Sequence, residues 1–205
     1  MTRATSSRRR NARRADCRRK TRETDVRVRL NLDGTGRTAI NTGIGFLDHM
    51  LELLGRHALV DLSIEACGDT HVDYHHLVED VGLVLGQALD KALGERRGIS
   101  RYGWSIVPMD ESLSRAAIDL GGRPYLVFET ATRRRKIMDF DLGLIREMLR
   151  AMVTEGRFNL HLTQLYGSEP HHAYESLFKA LARALRMAVA RDPQEKGLPS
   201  TKGRL

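Results

Sequence analysis

What the chain lacks narrows it first. Its 205 residues include only two cysteines, Cys17 and Cys67. Two cysteines in unrelated settings make no disulfide framework, so a reducing compartment is the default expectation. No apolar run approaches the roughly 18–20 residues of a membrane span, so no membrane partner is expected. The basic start runs into more arginine and not into an apolar stretch, which argues against a secretory signal peptide. A P-loop, a G-x-G-x-x-G turn after a strand and a G-x-S-x-G elbow are all missing, and so is H-E-x-x-H. These absences disfavour the common nucleotide-binding, α/β-hydrolase and metalloprotease chemistries. Hydrophobic content of 41% and charged content of 29% fit an ordinary globular chain.

Charge of one sign is also scarcer than it looks. The formal net charge is +8, from 34 Lys+Arg against 26 Asp+Glu. Residues 1–20 hold nine of the bases and a single acid, Asp16, so the remaining chain is neutral. A uniformly basic, nucleic-acid-binding domain is therefore not expected. Residues 1–20 read as a disordered basic tail, with an organellar transit peptide as the alternative.

What is there is a duplication. Thr24–Asp33 alternates as a half-buried strand, and Asp33-Gly34-Thr35-Gly36 reads as a turn that hands the chain back as a second strand, Arg37–Asn41. Phe46–Leu54 has helical spacing, Leu59–Cys67 alternates again, and residues 73–93 read as a long helix stopped by Gly94. The second half repeats the order. Strand-like segments at Ile106–Met109, Ala116–Leu120 and Tyr125–Glu129 precede a helix at Leu142–Val153. A strand at Phe158–Tyr166 and a long helix at 171–191 follow. His75-His76-Leu77-Val78-Glu79 matches His171-His172-Ala173-Tyr174-Glu175 at an offset of 96, and Leu62 matches Leu160 at 98. The expected fold class is α+β, with a tail over 1–20 and two packed half-domains over 21–97 and 98–205.

The repeated H-H-x-x-E carries the chemistry. On a helix His75 and Glu79 lie on one face and can chelate a divalent ion, while His76 is turned away by about 100°. Each long helix can therefore serve two metal sites. Imidazoles and carboxylates without thiolate suit Mn, Fe, Co or Zn. The offset of 98 places Glu147 opposite His49. His57, His71 and His161 have no repeat partner and read as structural or local. Arg101, Arg123, Lys179 and the segment Pro199-Ser200-Thr201-Lys202-Gly203 supply the cations and hydroxyls that hold a phosphate.

Thr42–Leu51, Gly68–Asp80, Asp119–Tyr125, His171–Glu175 and Pro199–Gly203 together closely resemble imidazoleglycerol-phosphate dehydratases, in order and at that family's spacing over residues 21–205. The resemblance implies a lyase of histidine biosynthesis. It would dehydrate imidazole glycerol phosphate to imidazole acetol phosphate through a metal-bound imidazolate. It also implies a fold like the second domain of ribosomal protein S5, two Mn²⁺ per active site, and a shell of 24 copies with active sites between subunits. By the same resemblance His49, His75, His76, Glu79, His171, His172 and Glu175 are metal ligands. Arg101, Arg123, Lys179, Ser200 and Lys202 bind phosphate. Glu23 and Glu175 are the candidate acid and base. One position departs from the pattern: Glu147 stands where the family's eighth ligand is a histidine, and is expected to ligate as a carboxylate. Two other readings stay open, a catalytically weakened paralogue and another metal-dependent enzyme acting on a phosphorylated substrate. The expected partners are this small substrate and further copies of the chain. Bacterial cytoplasm is the expected compartment, with a plastid precursor as the alternative.

Overall fold

Alternation in T-D-V-R-V-R-L-N buries Thr24, Val26, Val28 and Leu30 on one side of a strand and turns arginines outward. The computed structural model, which describes residues 12–205, builds two equivalent halves from segments of this kind. The first contains β1 (Arg14–Lys20), β2 (Thr24–Asn31), β3 (Thr38–Asn41), α1 (Gly45–Ala58), β4 (Asp61–Gly68) and α2 (His75–Leu93). The second contains β5 (Tyr102–Met109), β6 (Ser112–Asp119), β7 (Tyr125–Glu129), the short pair β8 (Lys136–Ile137) and β9 (Phe140–Asp141), α3 (Gly143–Gly156), β10 (Asn159–Tyr166) and α4 (Pro170–Ala188). Their sheets have matching orders, β1-β2-β4-β3 and β5-β6-β10-β7. The helix caps Leu59 and Arg157, 98 residues apart, both take left-handed backbone. The duplication read from the sequence is thus a duplication of fold.

Helices α1 and α2 cover the inner face of the first sheet, and α3 and α4 that of the second. The two helical layers then meet, α2 on α3 and α1 on α4. Each half therefore buries its helices against the other, and one apolar core runs through both. Buried Arg96 ties the ends together. Its guanidinium pairs with Asp90 at the end of α2 and donates to the carbonyls of Leu120, Gly156 and Arg157.

Two expectations are corrected. The disordered tail expected over 1–20 does not hold from Arg14 onward, because β1 pairs with β2 along its whole length; residues 1–11 lie outside the described residues. The outward residues of β1 are Arg14, Asp16, Arg18 and Lys20, so its pattern looks like a basic run. Pairing gives those charges partners: Arg18 bonds Asp25, Asp16 bonds Arg27, and inward Arg19 pairs with Asp80. The first half accordingly begins at β1 and not at residue 21. The second correction concerns the strand after Gly36. It does not form a hairpin with β2, since β4 lies between them and β3 runs parallel to β4. Asp61, the first residue of β4, explains the crossing. Its carboxylate accepts the N–H groups of Thr35 and Arg37 and draws the turn over the strand end.

The α2–α3 contact requires glycine. A Cβ on Gly82 would lie 2.3 Å from the Met148 carbonyl oxygen, and one on Gly86 would lie 2.5 Å from that of Met152. Backbone must move to admit it. Gly82→Ala is expected to cost about 1–3 kcal/mol, seen as a lowered thermal midpoint. An unchanged midpoint would show that the helices can part without penalty.

The first sheet also sets the acid response. Hydrogen bonds from Arg18 and Lys20 hold Asp25 down to about 2, and the Arg37 guanidinium with backbone N–H groups holds Asp61 well below the usual carboxylate range. A lowered carboxylate stabilises the fold above its unfolded value and ceases to do so as pH falls toward its folded value. Circular dichroism followed during acid titration should therefore show stability falling as pH drops below about 4. A fold equally stable at pH 5 and pH 3 would contradict these pairings.

Candidate active site

Both H-H-x-x-E segments open a long helix after a strand–loop, and helical twist sends the two imidazoles of each pair apart. The His75 and His76 rings stand at 81° to one another. His75 turns along its own helix, with Nε2 4.0 Å from Glu79. His76 turns back toward the loop, where its Nδ1 is 3.0 Å from Asp69 and 3.9 Å from Glu23.

The second helix repeats this with one addition. His171 Nε2 lies 3.6 Å from Glu175, and His49 of α1 stacks on His171 with its Nε2 3.9 Å from the same carboxylate. One ligand atom from each of these three residues lies within 4.8 Å of the others. Bonds of about 2.1 Å separate two ligands of one ion by at most about 4.2 Å, and the 3.6 and 3.9 Å separations fall inside that limit, so the group could hold one divalent cation. Burial pushes the Glu175 carboxyl up, but Lys179, one turn on at 2.7 Å, outweighs this and holds it below its ordinary value. The carboxylate stays charged, as a ligand must be.

The duplication supplies the counterpart. His49, His171 and Glu175 map by the two offsets onto Glu147, His75 and Glu79. Parallel packing of α2 on α3 sets Glu147 on the helix facing this pair. Glu147 Oε2 is buried without a hydrogen bond and touches the Arg150 guanidinium. His172 stands apart from both groups, its Nδ1 2.8 Å from Glu111 and its Nε2 3.7 Å from Asp110.

The expected phosphate residues divide. Lys179 stands at the metal end of α4. Arg101 lies at the other end, where its N–H donates to the Ala188 carbonyl and its guanidinium bonds Asp119 and the Pro199 carbonyl. The Gly121-Gly122 turn before exposed Arg123 packs against Arg101 and Leu205. Ser200 donates to the Arg204 carbonyl and accepts from the Lys202 N–H in the same C-terminal segment. His57 is half-buried, and burial together with Lys179 and Arg183 lowers its pKa. His161 stacks on Tyr125.

The sequence from Thr42 to Leu185 matches the family model for imidazoleglycerol-phosphate dehydratase. The chain belongs to that family. An imidazoleglycerol-phosphate dehydratase of Xanthobacter autotrophicus is 58% identical over 194 residues, covering 94% of this chain and 98% of its own. One from Azorhizobium caulinodans is 57% identical with the same coverage. Among solved structures, the Staphylococcus aureus dehydratase gives a TM-score of 0.77 at 37% identity, over 86% of this chain and 99% of that one. The enzyme from Pyrococcus furiosus gives 0.75 at 32%, over 92% and 99%. With 94% of the chain matched, residues 1–20 do not all fall outside the family likeness, in agreement with β1. Membership carries the family's activity, the dehydration of imidazoleglycerol phosphate by a metal-dependent lyase of histidine biosynthesis.

Sequence reasoning missed Asp69 and Glu111. Each is a loop carboxylate against the Nδ1 of the second histidine of a pair, which fixes the ring and turns Nε2 the other way. The two are not equivalent by the duplication: Asp69 follows β4, whereas Glu111 lies in the β5–β6 turn. No periodicity signals either one. Asp69→Asn should weaken metal binding about 10–100-fold, with an unchanged far-ultraviolet spectrum. Chelator competition measures this, and unaltered affinity would make the contact incidental.

Proposed function

We propose that the dehydration takes place at a site completed by two copies of the chain and holding two Mn²⁺ ions. Distance along α4 is the observation that carries the reading. Glu175 and Ala188, the residue bonded to Arg101, are thirteen positions apart, or about 20 Å at 1.5 Å per residue. An imidazole ring, three carbons and a phosphate span only about 10 Å at covalent bond lengths. Metal donors and the Arg101 end of one chain are therefore too far apart to hold one substrate. A second copy brings the two ends together.

Within such a site one ion would be held by His75, Glu79 and Glu147 with His172, and the other by His49, His171 and Glu175 with His76. The first three of each set come from one chain. His76 and His172, oriented by Asp69 and Glu111, present Nε2 outward to the set of a neighbouring copy. The bound ions supply Lewis acidity that stabilises negative charge on the imidazole ring.

The chain's own groups do the rest. Arg101, Arg123, Ser200 and Lys202 hold the phosphate, joined by Lys179 from the metal end, and fix the orientation of the carbon chain. Asp119 already bonds two guanidinium nitrogens of Arg101 and keeps that side chain aligned. Glu23, beside His76, would move a proton between the substrate carbon and its departing hydroxyl, with Glu175 as the other candidate. The proposed assembly is a closed shell of 24 copies working in the cytoplasm, where Cys17 and Cys67 remain free thiols.

Complementation tests the shared site. His171→Ala and Arg101→Ala should each lose turnover, and chains unfolded and reassembled as an equal mixture should regain a fraction of it. Recovery no greater than the sum of the separate variants would place both residues in one chain's site. Metal analysis after chelation and refilling should give two manganese ions per chain. A single ion would mean that Arg150 keeps Glu147 from ligating and that the weakened-paralogue reading is the better one.

A further inference from the structure

The turn that carries Glu23 has a counterpart in the second half. The repeat partners Leu62 and Leu160 lie opposite Leu30 and Ile118, so β2 falls on β6 at an offset of 88. The same offset carries β1 onto β5. The β1–β2 and β5–β6 turns then align, and Glu23 falls on Glu111. Both stand before the second histidine of their half's pair, yet they are held differently. Glu111 is fully engaged: one oxygen lies 2.8 Å from His172 Nδ1, and the other accepts the Glu169 N–H and the Ser112 hydroxyl. Glu23 makes no side-chain hydrogen bond among the described residues, is more than half exposed and stops 3.9 Å from His76 Nδ1.

Asp69 accounts for the difference. It lies 3.0 Å from His76 Nδ1, the place that Glu111 takes on His172. The second half has no such residue. Its β10–α4 loop is shorter, and the acid there, Glu169, accepts the His171 N–H, as Asp73 accepts that of His75. Asp69 and Glu23 lie side by side, because the Asp69 N–H donates to the Glu23 carbonyl. Glu23 would need to move only about 1 Å to reach hydrogen-bond length from His76. The fold itself gains little from Asp69. Its Oδ1 is buried with no hydrogen bond among the described residues, which lowers stability.

We infer that Asp69 is a positioning residue that keeps Glu23 free for proton transfer, by occupying the imidazole nitrogen that Glu23 would otherwise take. The inference rests on the reading of Glu23 as a proton-moving group. It gives two duplicated glutamates separate tasks. Glu111, without an aspartate beside it, is committed to orienting His172. Glu23, relieved by Asp69, is left for the chemistry.

Two substitutions of Asp69 separate this role from simple support of His76. Asp69→Ser gives the first half the residue that follows glycine in the second, and it opens the space to Glu23. Asp69→Asn keeps the bulk and so keeps Glu23 out. Chelator competition with Mn²⁺ on the full chain should find Asp69→Ser within about threefold of wild type, tighter than Asp69→Asn, because Glu23 takes over the ring. Adding Glu23→Gln to Asp69→Ser should then weaken Mn²⁺ binding about 10–100-fold, whereas Glu23→Gln alone should leave it unchanged. At saturating Mn²⁺ the order reverses in turnover. Asp69→Ser should lose about 100-fold or more in kcat with little change in KM, while Asp69→Asn keeps most of its kcat. Asp69→Ser binding Mn²⁺ no better than Asp69→Asn, or regaining full turnover at saturating Mn²⁺, would overturn the inference. Should Asp69→Ser fail to fold, Asp69→Ala opens the same space and is read in the same way. Full turnover in Glu23→Gln would instead sink the proton role of Glu23, and the Mn²⁺ affinities, which involve no turnover, would still decide whether Asp69 holds Glu23 off the ring.

Discussion

Each helical layer of this protein has one side on its own sheet and the other buried only by the opposite half. Because α2 packs on α3 and α4 on α1, neither half covers both sides of its own helices, and the core closes only when both are present. The same crossing builds the metal donors. His49 of the first half meets His171 and Glu175 of the second, while Glu147 of the second faces the helix of His75 and Glu79 in the first. Gly82 and Gly86 let the backbones approach closely enough for that exchange. Stability and site geometry therefore depend on one contact. A change that opens the helical layers disturbs both together.

The helices and the facing of their histidines and glutamates were legible in the sequence because a helix converts spacing directly into facing. His75 and Glu79, four apart, had to share a side, and adjacent His76 had to leave it. Strand β1 was not legible, since its inward residues, Ala15, Cys17 and Arg19, give alternation little apolar weight. Its stability comes from partners distant in sequence, such as Asp25 and Asp80. The position of β3 was hidden for a similar reason. A turn of Asp, Gly and Thr looks like a hairpin until Asp61, two dozen residues later, captures its N–H groups. Asp69 and Glu111 illustrate the same limit within the site, being loop carboxylates whose roles exist only where the chain brings them to a histidine.

The excess charge changes meaning once β1 is seen. Of the eight surplus positive charges, half fall in residues 12–20, where five bases outnumber Asp16 alone. Most of those bases are held in pairs: Arg13 with Asp33, Arg18 and Lys20 with Asp25, and Arg19 with Asp80. They brace the edge of a sheet whose outer face is mostly charged. At the matching positions of the second sheet Tyr102, Trp104 and Ile106 stand exposed instead. Duplication supplied two copies of one scaffold, and the outer positions, free of core constraints, took opposite characters.

The same freedom operates at the metal ligands. Where the first half has His49 and, three residues on, Glu52, the second has Glu147 and Arg150. A neutral imidazole can stand half-buried without a counter-charge. A carboxylate at that position cannot be left alone at low cost, because a buried charge requires a partner. Arg150, one turn along the helix, provides it whenever no cation does. The exchange of histidine for glutamate is thus matched by a cation absent from the sister helix. The proposed donor set of His75, Glu79 and Glu147 would be richer in oxygen than that of His49, His171 and Glu175, the direction that favours Mn²⁺ over softer ions. On the proposed reading two sites that began as copies would hold their ions with different donors, and the helix that carries Glu147 also carries Arg150, its compensation.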